Sequence, residues 1–249
     1  MEFSDQALVI QVGKFKEADL WVRFLSAKRG LFTAFAFGGS RSRRRFCGCL
    51  DILNQVSVRV ARPKNGGQFL NLQEGSLLAG PQRLRKDIDR LGLAINCLKF
   101  IQSFEISPES APDAHAAACG LLELLEGALP PPPLLPLFFR LRLSAGQGFA
   151  PRLDSCRICG QDTGALPRWA FNPGLGGIAC PACEQGNGQN LYLSAQGVQI
   201  LQRVSASLPQ TWGDLALTAN LREECGEAID AFIHYHVGVA WGKNGFQRI

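Results

Sequence analysis

The stretch ILNQVSVRVAR at residues 52–62 decides the fold of the first third of the chain. Valine occupies every second position from 56 to 60, and serine, arginine and alanine occupy the positions that follow each valine. A period of two is typical of a β-strand with one buried face and one wet face. We therefore predict a half-buried strand over Ile52–Arg62.

Four more segments near this stretch have strand-like patterns bounded by turn signals. The predicted strands are Ala7–Phe15, Leu20–Ala27, Leu31–Phe37 and Gln68–Leu78. Five short strands in so short a segment, with an Asn-Gly-Gly turn at residues 65–67 before the last, favour a small closed barrel. An OB-fold is the leading prediction for this barrel, and an SH3-like barrel is the alternative.

After Pro81 the apolar period changes from two to that of a helix. The predicted helices are Ile88–Phe104, Asp113–Leu129, Leu134–Leu143, Ser194–Leu208, with its serine as N-cap, and Thr218–Val237. The predicted fold class is therefore α+β. An OB-fold-like barrel occupies residues 1–80, and a helical domain over residues 81–249 carries a cysteine-rich, loop-rich insert at about residues 151–193.

The composition is that of a folded protein, because 46% of the 249 residues are hydrophobic and 19% are charged. The N-terminus lacks the pattern of a secretory signal, and no apolar segment approaches the roughly 20 residues that cross a bilayer. Nine cysteines, an odd number with four in two close pairs, fit a reducing compartment. We expect a soluble cytoplasmic protein without a membrane partner.

The paired cysteines have the spacing of a metal site. Cys156 and Cys159 form one Cys-x2-Cys pair, Cys180 and Cys183 form another, and 20 residues separate the pairs. Two tight turns of this kind can direct four thiolates at one ion in a tetrahedron, which leaves no open position for a substrate. This pattern predicts a structural Zn²⁺ site of the zinc-finger type.

Positive charge is concentrated in the N-terminal part of the chain. Residues 1–90 contain 16 Lys and Arg against 8 Asp and Glu, whereas the remainder has an acidic excess. The densest cluster is Arg41, Arg43, Arg44 and Arg45, and further cations that could extend it are Lys28, Arg29, Arg59, Arg62 and Lys64. Arginine suits phosphate because its planar fork donates two parallel hydrogen bonds. This charge predicts a nucleic-acid-binding barrel.

Several aromatic side chains of this region could stack on bases: Phe15, Trp21, Phe35, Phe37 and Phe46. We expect most of them in the barrel core, with Phe46 and Trp21 as the exceptions. The chain also lacks the phosphate-binding, nucleophile-elbow, metalloprotease and dinucleotide signatures of common enzymes. We therefore predict that it is not an enzyme and does not hydrolyse ATP.

The order of these features resembles the bacterial RecO family of recombination mediators over nearly the whole chain. The residues that carry the likeness are Gly38-Gly39 with the arginine run and Phe46, Leu70-Asn71-Leu72-Gln73-Glu74, FFRLRL at 138–143, GFAPRLD at 148–154 leading into Cys156-Arg157-Ile158-Cys159-Gly160, Phe171-Asn172-Pro173, and Gly176-Gly177 before Cys180. The C-terminal end, residues 239–244, departs from the more regular basic pattern of the family's last helix and tail.

This resemblance implies a nucleoid-associated protein that binds single- and double-stranded DNA and anneals complementary strands. It also implies that the protein works with RecR and the single-strand-binding protein to load RecA. On the matching positions, the arginine run would bind DNA and the four cysteines would bind metal. The acidic tail of the single-strand-binding protein would dock on the helical domain, where Arg140 and Arg142 are candidate contacts.

Two alternatives remain open on the residues alone. An RNA-binding or translation-associated barrel with a structural zinc ribbon has the same charge pattern, and it would prefer RNA over DNA of equal sequence. A zinc-stabilised nuclease or other metal-dependent enzyme is the second alternative, and it would need a carboxylate cluster for Mg²⁺ in addition to the cysteines.

Overall fold

The computed structural model of the chain describes residues 2–62, 69–184, 190–243 and 245–249. The chain forms two compact units. The first, here called the barrel unit, contains residues 1–91 and 104–122, and the second, here called the helical unit, contains residues 92–103 and 123–249. The predicted domain boundary near residue 80 stays a prediction.

Five strands build the barrel unit: β1 Glu2–Lys14, β2 Leu20–Ser26, β3 Gly30–Ala36, β4 Gln55–Ala61 and β5 Leu70–Ala79. They form a closed barrel in the order β1-β2-β3-β5-β4. Neighbouring strands are antiparallel except β3 and β5, and the pairing of β1 with β4 closes the barrel. The predicted fold class, an α+β chain with an N-terminal OB-fold-like barrel, is confirmed.

The valine alternation of β4 builds the barrel core. Val56, Val58 and Val60 are at most 2% exposed, whereas Arg59 between them is exposed. Phe24 of β2 stacks on Phe32 of β3 inside the same cluster, with ring centroids 5.2 Å apart. Removal of this apolar surface from water is the main stabilising contribution to the barrel.

Strand β1 begins at Glu2, five residues before the predicted start. Four of residues 2–6 are polar, so this part of the strand lacks the apolar alternation of a predicted strand. Residues 2–6 nevertheless pair with residues 57–61 of β4. Asp5 is 7% exposed, and its carboxylate accepts hydrogen bonds from Ser26 Oγ at 2.6 Å and Gln6 N at 2.8 Å. Strand pairing with satisfied polar groups overrides the low strand propensity of these residues.

The described residues then form five α-helices: α1 Ile88–Ile101, α2 Ala111–Glu126, α3 Leu135–Gly146, α4 Ala195–Ala206 and α5 Ala219–Phe232. Residues 104–122 belong to the barrel unit and cover part of the outer face of the barrel. Gln55 Nε2 of β4 donates to Cys119 Sγ at 3.7 Å, and a side chain at Gly30 would overlap the Ile106 carbonyl. One part of the outer barrel surface is therefore covered within this unit.

The helical unit packs α3 against α4 and α5. Phe138 of α3 is fully buried and meets Trp212 edge-on, with ring centroids 6.1 Å apart. Ser194 Oγ accepts the N–H of Gly197 at 3.0 Å, as the predicted N-cap of α4 requires. The predicted helix over Thr218–Val237 is corrected in one respect: the α-helix ends at Phe232, and a π-helical turn continues to Val237.

Two β-elements of this unit were not predicted. The loop-rich insert contains a three-stranded antiparallel sheet, in the order β7-β6-β8, with β6 Arg168–Asn172, β7 Gly177–Ala179 and β8 Leu191–Ser194. The chain ends in a hairpin of β9 Val239–Gly242 and β10 Gly245–Arg248. Strands of three to five residues are too short for a period of two to be recognised in the sequence.

Within the described ranges, no helix is long and apolar enough to cross a membrane.

We predict that Phe24→Ala lowers the free energy of unfolding of the barrel by about 3–5 kcal/mol, because it removes a fully buried ring and leaves a cavity. Chemical denaturation followed by circular dichroism measures this change. Leu77→Ala, at a β5 residue that is 51% exposed, is the matched control and should change the stability by less than about 0.5 kcal/mol. Equal stability of both variants would contradict the assignment of Phe24 to the core.

Candidate nucleic-acid surface and metal centre

The arginine run lies in the segment that connects β3 to β4. We call residues 38–45 the arginine loop. It begins at Gly38, whose φ of 66° is accessible to glycine at little cost, and continues as a 3₁₀ turn over Gly39–Arg41. Gly38 N donates to Asp19 Oδ1 at 2.7 Å, and Ser40 N donates to the Ala18 carbonyl at 3.1 Å. The start of the loop is therefore fixed to the turn between β1 and β2.

Arg45 and Phe46 fix the other end of the loop. The Arg45 guanidinium donates to the Phe37 carbonyl and lies 4.9 Å from the centre of the Phe46 ring. The Arg45 carbonyl accepts the N–H of Gly75 in β5 at 2.9 Å. Phe46 is 2% exposed and belongs to the barrel core. The prediction that Phe46 is exposed for base stacking is therefore wrong, because its ring anchors the loop.

The other three arginines of the loop are free to contact a ligand. Arg41, Arg43 and Arg44 are exposed, and their guanidinium groups make no hydrogen bond or ion pair with any residue that the structure describes. An arginine without an intramolecular partner can direct its whole donor fork to a phosphate. The loop thus presents three available cations on a backbone that is anchored at both ends.

The arginine loop forms one wall of an open groove on the barrel, with a volume of about 480 Å³. We call it the arginine groove. Its lining consists of guanidinium groups, hydroxyls, one carboxylate and backbone from β1, β4, β5 and the loop: Ser4, Arg44, Arg45, Ser57, Val58, Arg59, Glu74, Gly75 and Ser76. Hydroxyl and guanidinium groups both donate hydrogen bonds to phosphate oxygens. The structure thus brings Arg44, Arg45 and Arg59 together.

Arg59 is balanced by acidic neighbours on the same face. Its guanidinium lies 2.6 Å from Glu74 Oε1 and 3.2 Å from Glu2 Oε1. All three side chains are about half exposed, and exposed ion pairs of this kind hold their partners weakly. A polyanion that enters the groove therefore competes with two carboxylates for Arg59, whereas it meets no such competition at Arg44 within the described residues.

The remaining predicted cations lie elsewhere in the barrel unit. Lys28 and Arg29 occupy the turn between β2 and β3. The Arg29 guanidinium lies 3.8 Å from the centre of the Phe3 ring and 3.5 Å from Asp5 Oδ2, so that it is bound to the barrel itself. Arg62 is exposed directly after β4, and Lys64 lies outside the described residues. The DNA-binding role of all these cations stays a prediction.

The four paired cysteines converge in the helical unit. The sulfur atoms of Cys156, Cys159, Cys180 and Cys183 all lie within 4.8 Å of one another, and Cys159 Sγ is 3.7 Å from Cys180 Sγ. Tetrahedral coordination with metal–sulfur bonds of about 2.3 Å places neighbouring sulfurs about 3.8 Å apart. The cluster can therefore hold one metal ion in a closed four-thiolate site.

Backbone hydrogen bonds shape the two turns of this cluster. Gly160 N donates to the Cys156 carbonyl at 3.0 Å, and Cys183 N donates to the Cys180 carbonyl at 2.9 Å. Arg157 N donates to the Ile178 carbonyl at 2.8 Å, which fastens the first turn to β7. The strands thus position both turns so that their thiols face each other.

Cys156 and Cys183 of the cluster have strongly shifted pKa values. Burial alone would raise the pKa of Cys156, but hydrogen bonds from the backbone N–H groups of Cys159 and Cys180 outweigh it and lower the pKa to about 6. The pKa of Cys183 is raised to about 12, because hydrogen bonds with the sulfurs of Cys159 and Cys180 favour its protonated form. Four thiols so close together cannot all ionise without a cation between them.

The two arginines predicted to contact a protein partner are engaged inside the helical unit. Arg142 is 7% exposed, so its side chain has little surface to offer. Arg140 donates to Asp230 Oδ1 at 3.4 Å and to Asn96 Oδ1 at 3.3 Å, and its guanidinium lies over the Phe246 ring. Burial lowers the pKa of Arg140, and Asp230 opposes that shift. Arg142 is buried and Arg140 is partly buried, and the role of both in partner binding stays a prediction.

Several aromatic residues of the barrel are more exposed than the sequence predicted. Phe15 and Phe37 were expected in the core, but they are 49% and 46% exposed. Phe69, which is 60% exposed, was not singled out at all. The available signal was their position at strand ends next to turn residues, where the alternation of buried and exposed faces stops.

Comparison with known proteins gives consistent matches over the whole chain. The family model described as "Recombination protein O N terminal" matches residues 1–81, and "Recombination protein O C terminal" matches residues 85–244. Proteins named "DNA repair protein RecO" from Oleidesulfovibrio alaskensis and Nitratidesulfovibrio vulgaris are each 46% identical to the chain and are covered completely, as is the chain itself. A protein of the same name from Anaeromyxobacter dehalogenans is 32% identical, with 93% of the chain and 90% of the relative covered.

We predict that Cys156→Ser and Cys183→Ser each abolish stoichiometric metal binding and lower the yield of folded protein, because each removes one of four ligands. Elemental analysis of the purified protein measures the metal content, with about one ion per chain expected for the wild type. Cys47→Ser, at an exposed cysteine of the barrel unit, is the control and should retain the metal. Retention of a full equivalent of metal by either ligand variant would contradict the proposed ligand set.

Proposed function

The chain belongs to the RecO family, and on that premise we propose that it is a recombination mediator in DNA repair that binds single- and double-stranded DNA. The proposal extends to annealing of complementary strands and, together with RecR and the single-strand-binding protein, to assistance in loading RecA. We further propose that it acts without catalysis, in the cytoplasm and in association with the nucleoid.

The observation that carries the proposal is the arginine loop. Three of its arginines have no intramolecular partner among the described residues, and the loop borders a groove that contains further hydroxyl and guanidinium donors. Phosphate oxygens are the acceptors that match these donors, and both single and double strands present them. This arrangement favours a polyanion regardless of its base sequence.

Annealing follows from the same electrostatics. Two complementary strands repel each other through their phosphates, and a surface that neutralises phosphates on both strands lowers this repulsion. The arginine groove is open, so that it does not enclose a single strand and exclude its complement. A fixed but open basic surface therefore suits a protein that must bring strands together and then release the duplex.

The protein partners of the proposal concern the helical unit. The family resemblance assigns the acidic tail of the single-strand-binding protein to this part of the chain. Arg142 is a poor candidate contact because it is buried, and Arg140 would have to exchange Asp230 for a carboxylate of the tail. We therefore keep Arg140 as the candidate and propose that Asp230 holds its guanidinium until the tail binds.

Zinc is the metal that the four-cysteine cluster suits best. Four thiolates in a tetrahedron are soft ligands and are typical of structural zinc sites. The sheet β6–β8 buries Trp169, Phe171, Ile178 and Leu193, whereas residues 157–158 and 181–182, between the paired cysteines, are exposed. A closed site with no open position gives the ion a folding role, and we propose that it stabilises the insert and takes no part in DNA chemistry.

We predict that the double variant Arg43→Ala/Arg44→Ala weakens binding to a single-stranded oligonucleotide and makes the salt dependence shallower. Each lost phosphate contact reduces the slope of log K against log salt concentration by about 0.7. Fluorescence anisotropy across a salt series measures both quantities. Arg45 is left in place because it anchors the loop.

The matched control for this experiment is Arg222→Ala/Lys243→Ala, which removes the same charge from exposed positions of the helical unit. The control should leave the salt slope unchanged. An identical slope for the arginine-loop variant and the wild type would overturn the assignment of the DNA surface. Tighter binding to RNA than to DNA of the same sequence would instead favour the RNA-binding alternative.

A further inference from the structure

An exposed cluster of aromatic rings lies on the outer face of the barrel. Phe15 follows β1, Phe37 follows β3 and Phe69 precedes β5, and these three rings are 49%, 46% and 60% exposed. Trp21 of β2 and Phe35 of β3 are partly buried beside them. We call these five residues the aromatic platform. Large apolar side chains that cluster on a surface generally mark a binding site.

Phe35 occupies the centre of the platform. Its ring centroid is 4.8 Å from that of Phe15 and 4.9 Å from that of Phe69, both in edge-to-face contact. The Phe37 ring lies nearly parallel to it at 6.5 Å. These contacts restrict the orientation of each exposed ring, so that ring faces are presented to solvent in defined directions.

The absence of a side chain at Gly13 leaves room for the Trp21 indole against the barrel. Gly13 of β1, Trp21 of β2 and Phe35 of β3 form one row across the sheet. A Cβ atom at Gly13 would overlap the Trp21 indole, so that only glycine lets the indole lie over the β1 backbone at this point. The indole therefore extends the aromatic platform across β1.

Positive charge borders the platform. Arg45 of the arginine loop donates directly to the Phe37 carbonyl, which joins the loop to the platform. The Lys16 ammonium lies 5.7 Å from the centre of the Phe15 ring, and Arg23 lies on the outer face two residues after Trp21. Glu17 is the exposed acid on the adjoining turn. The surroundings are therefore suited to a ligand with apolar planes and negative charge.

We propose that the aromatic platform stacks the unpaired bases of a single strand while the arginine loop holds its phosphates. This inference rests on the proposed DNA-binding function and adds a source of discrimination to it. In a duplex the faces of the bases are already stacked on one another, so that the platform contributes to the binding of single strands alone. Bases of any identity have a π-face, and the contact therefore does not select sequence.

The position of the platform agrees with the general use of this barrel type. OB-folds bind oligonucleotides on the face of strands 2 and 3 and through the loops that connect strands 1 and 2 and strands 4 and 5. Trp21 and Phe35 lie on those two strands, Phe15 begins the first of those loops, and Phe69 ends the second. By contrast, the arginine groove lies on β1, β4 and β5. The barrel unit thus has a base surface and a phosphate surface that meet at Arg45.

The test compares ring removal with ring retention at the two platform positions nearest the cations. Phe15→Leu/Phe37→Leu keeps apolar surface but removes two ring faces, whereas Phe15→Tyr/Phe37→Tyr keeps them. Leu77→Ala, at an exposed apolar residue near the other end of β5, controls for general loss of apolar surface. Each protein is titrated with a single-stranded oligonucleotide, with an abasic strand of the same length and with the corresponding duplex.

We expect the leucine variant to lose about 5- to 100-fold in affinity for the single strand for each ring that contacts a base. Its affinity for the abasic strand and the duplex, and its salt slope, should equal those of the wild type, and the tyrosine variant should bind the single strand as the wild type does. An equal loss on the abasic strand, or no loss on the single strand, would overturn the inference.

If the leucine variant binds normally while Arg43→Ala/Arg44→Ala binds weakly, the proposed function stands and the platform has no role in it. If the wild type binds none of the three nucleic acids, the proposed function itself fails.

Discussion

Closure of the barrel by the pairing of β1 with β4 is the constraint on which both candidate binding surfaces depend. In a closed barrel every second side chain must enter an interior that has room for small and medium apolar groups, and the side chains between them must point outward. Val56, Val58 and Val60 occupy the interior, and their neighbours Ser57 and Arg59 therefore line the arginine groove. The pairing of Ser4 with Arg59, fixed by closure, places the Ser4 hydroxyl of β1 in the same groove.

The outer face of the barrel has three different environments as a result. Residues 104–122 cover one part, the arginine groove occupies a second, and the aromatic platform occupies a third. The arginine loop adjoins the last two because Arg45 lines the groove and also donates to the Phe37 carbonyl. A single anchored loop thus determines how the arginine side chains that donate to phosphate and the aromatic ring faces are arranged relative to each other.

The four-cysteine cluster adds to the small apolar core of the insert. In the insert, two turns and three short strands bring four sulfurs within 4.8 Å, and a bound ion would join the two turns to each other. The two predicted partner arginines differ from those of the arginine loop in their environment. Arg140 is paired with Asp230 and Arg142 is buried in the helical unit, whereas the guanidinium groups of Arg41, Arg43 and Arg44 make no hydrogen bond or ion pair among the described residues.

Local patterns in the sequence were sufficient to identify the barrel strands, the helices, the cysteine ligand spacing and the charge of the N-terminal part. These features depend on residues that are neighbours in the chain: a period of two or of 3.6, a Cys-x2-Cys turn, a run of arginines. The polar start of β1, the short strands of the insert and the C-terminal hairpin depend on pairing with distant segments. Tertiary structure alone decided that Phe46 is an anchor, that Phe15, Phe37 and Phe69 are exposed, and that Arg142 is buried. The physical reason is that the exposure of a side chain at a strand end or in a loop depends on which distant segment packs against it, and no periodicity in the chain encodes that contact.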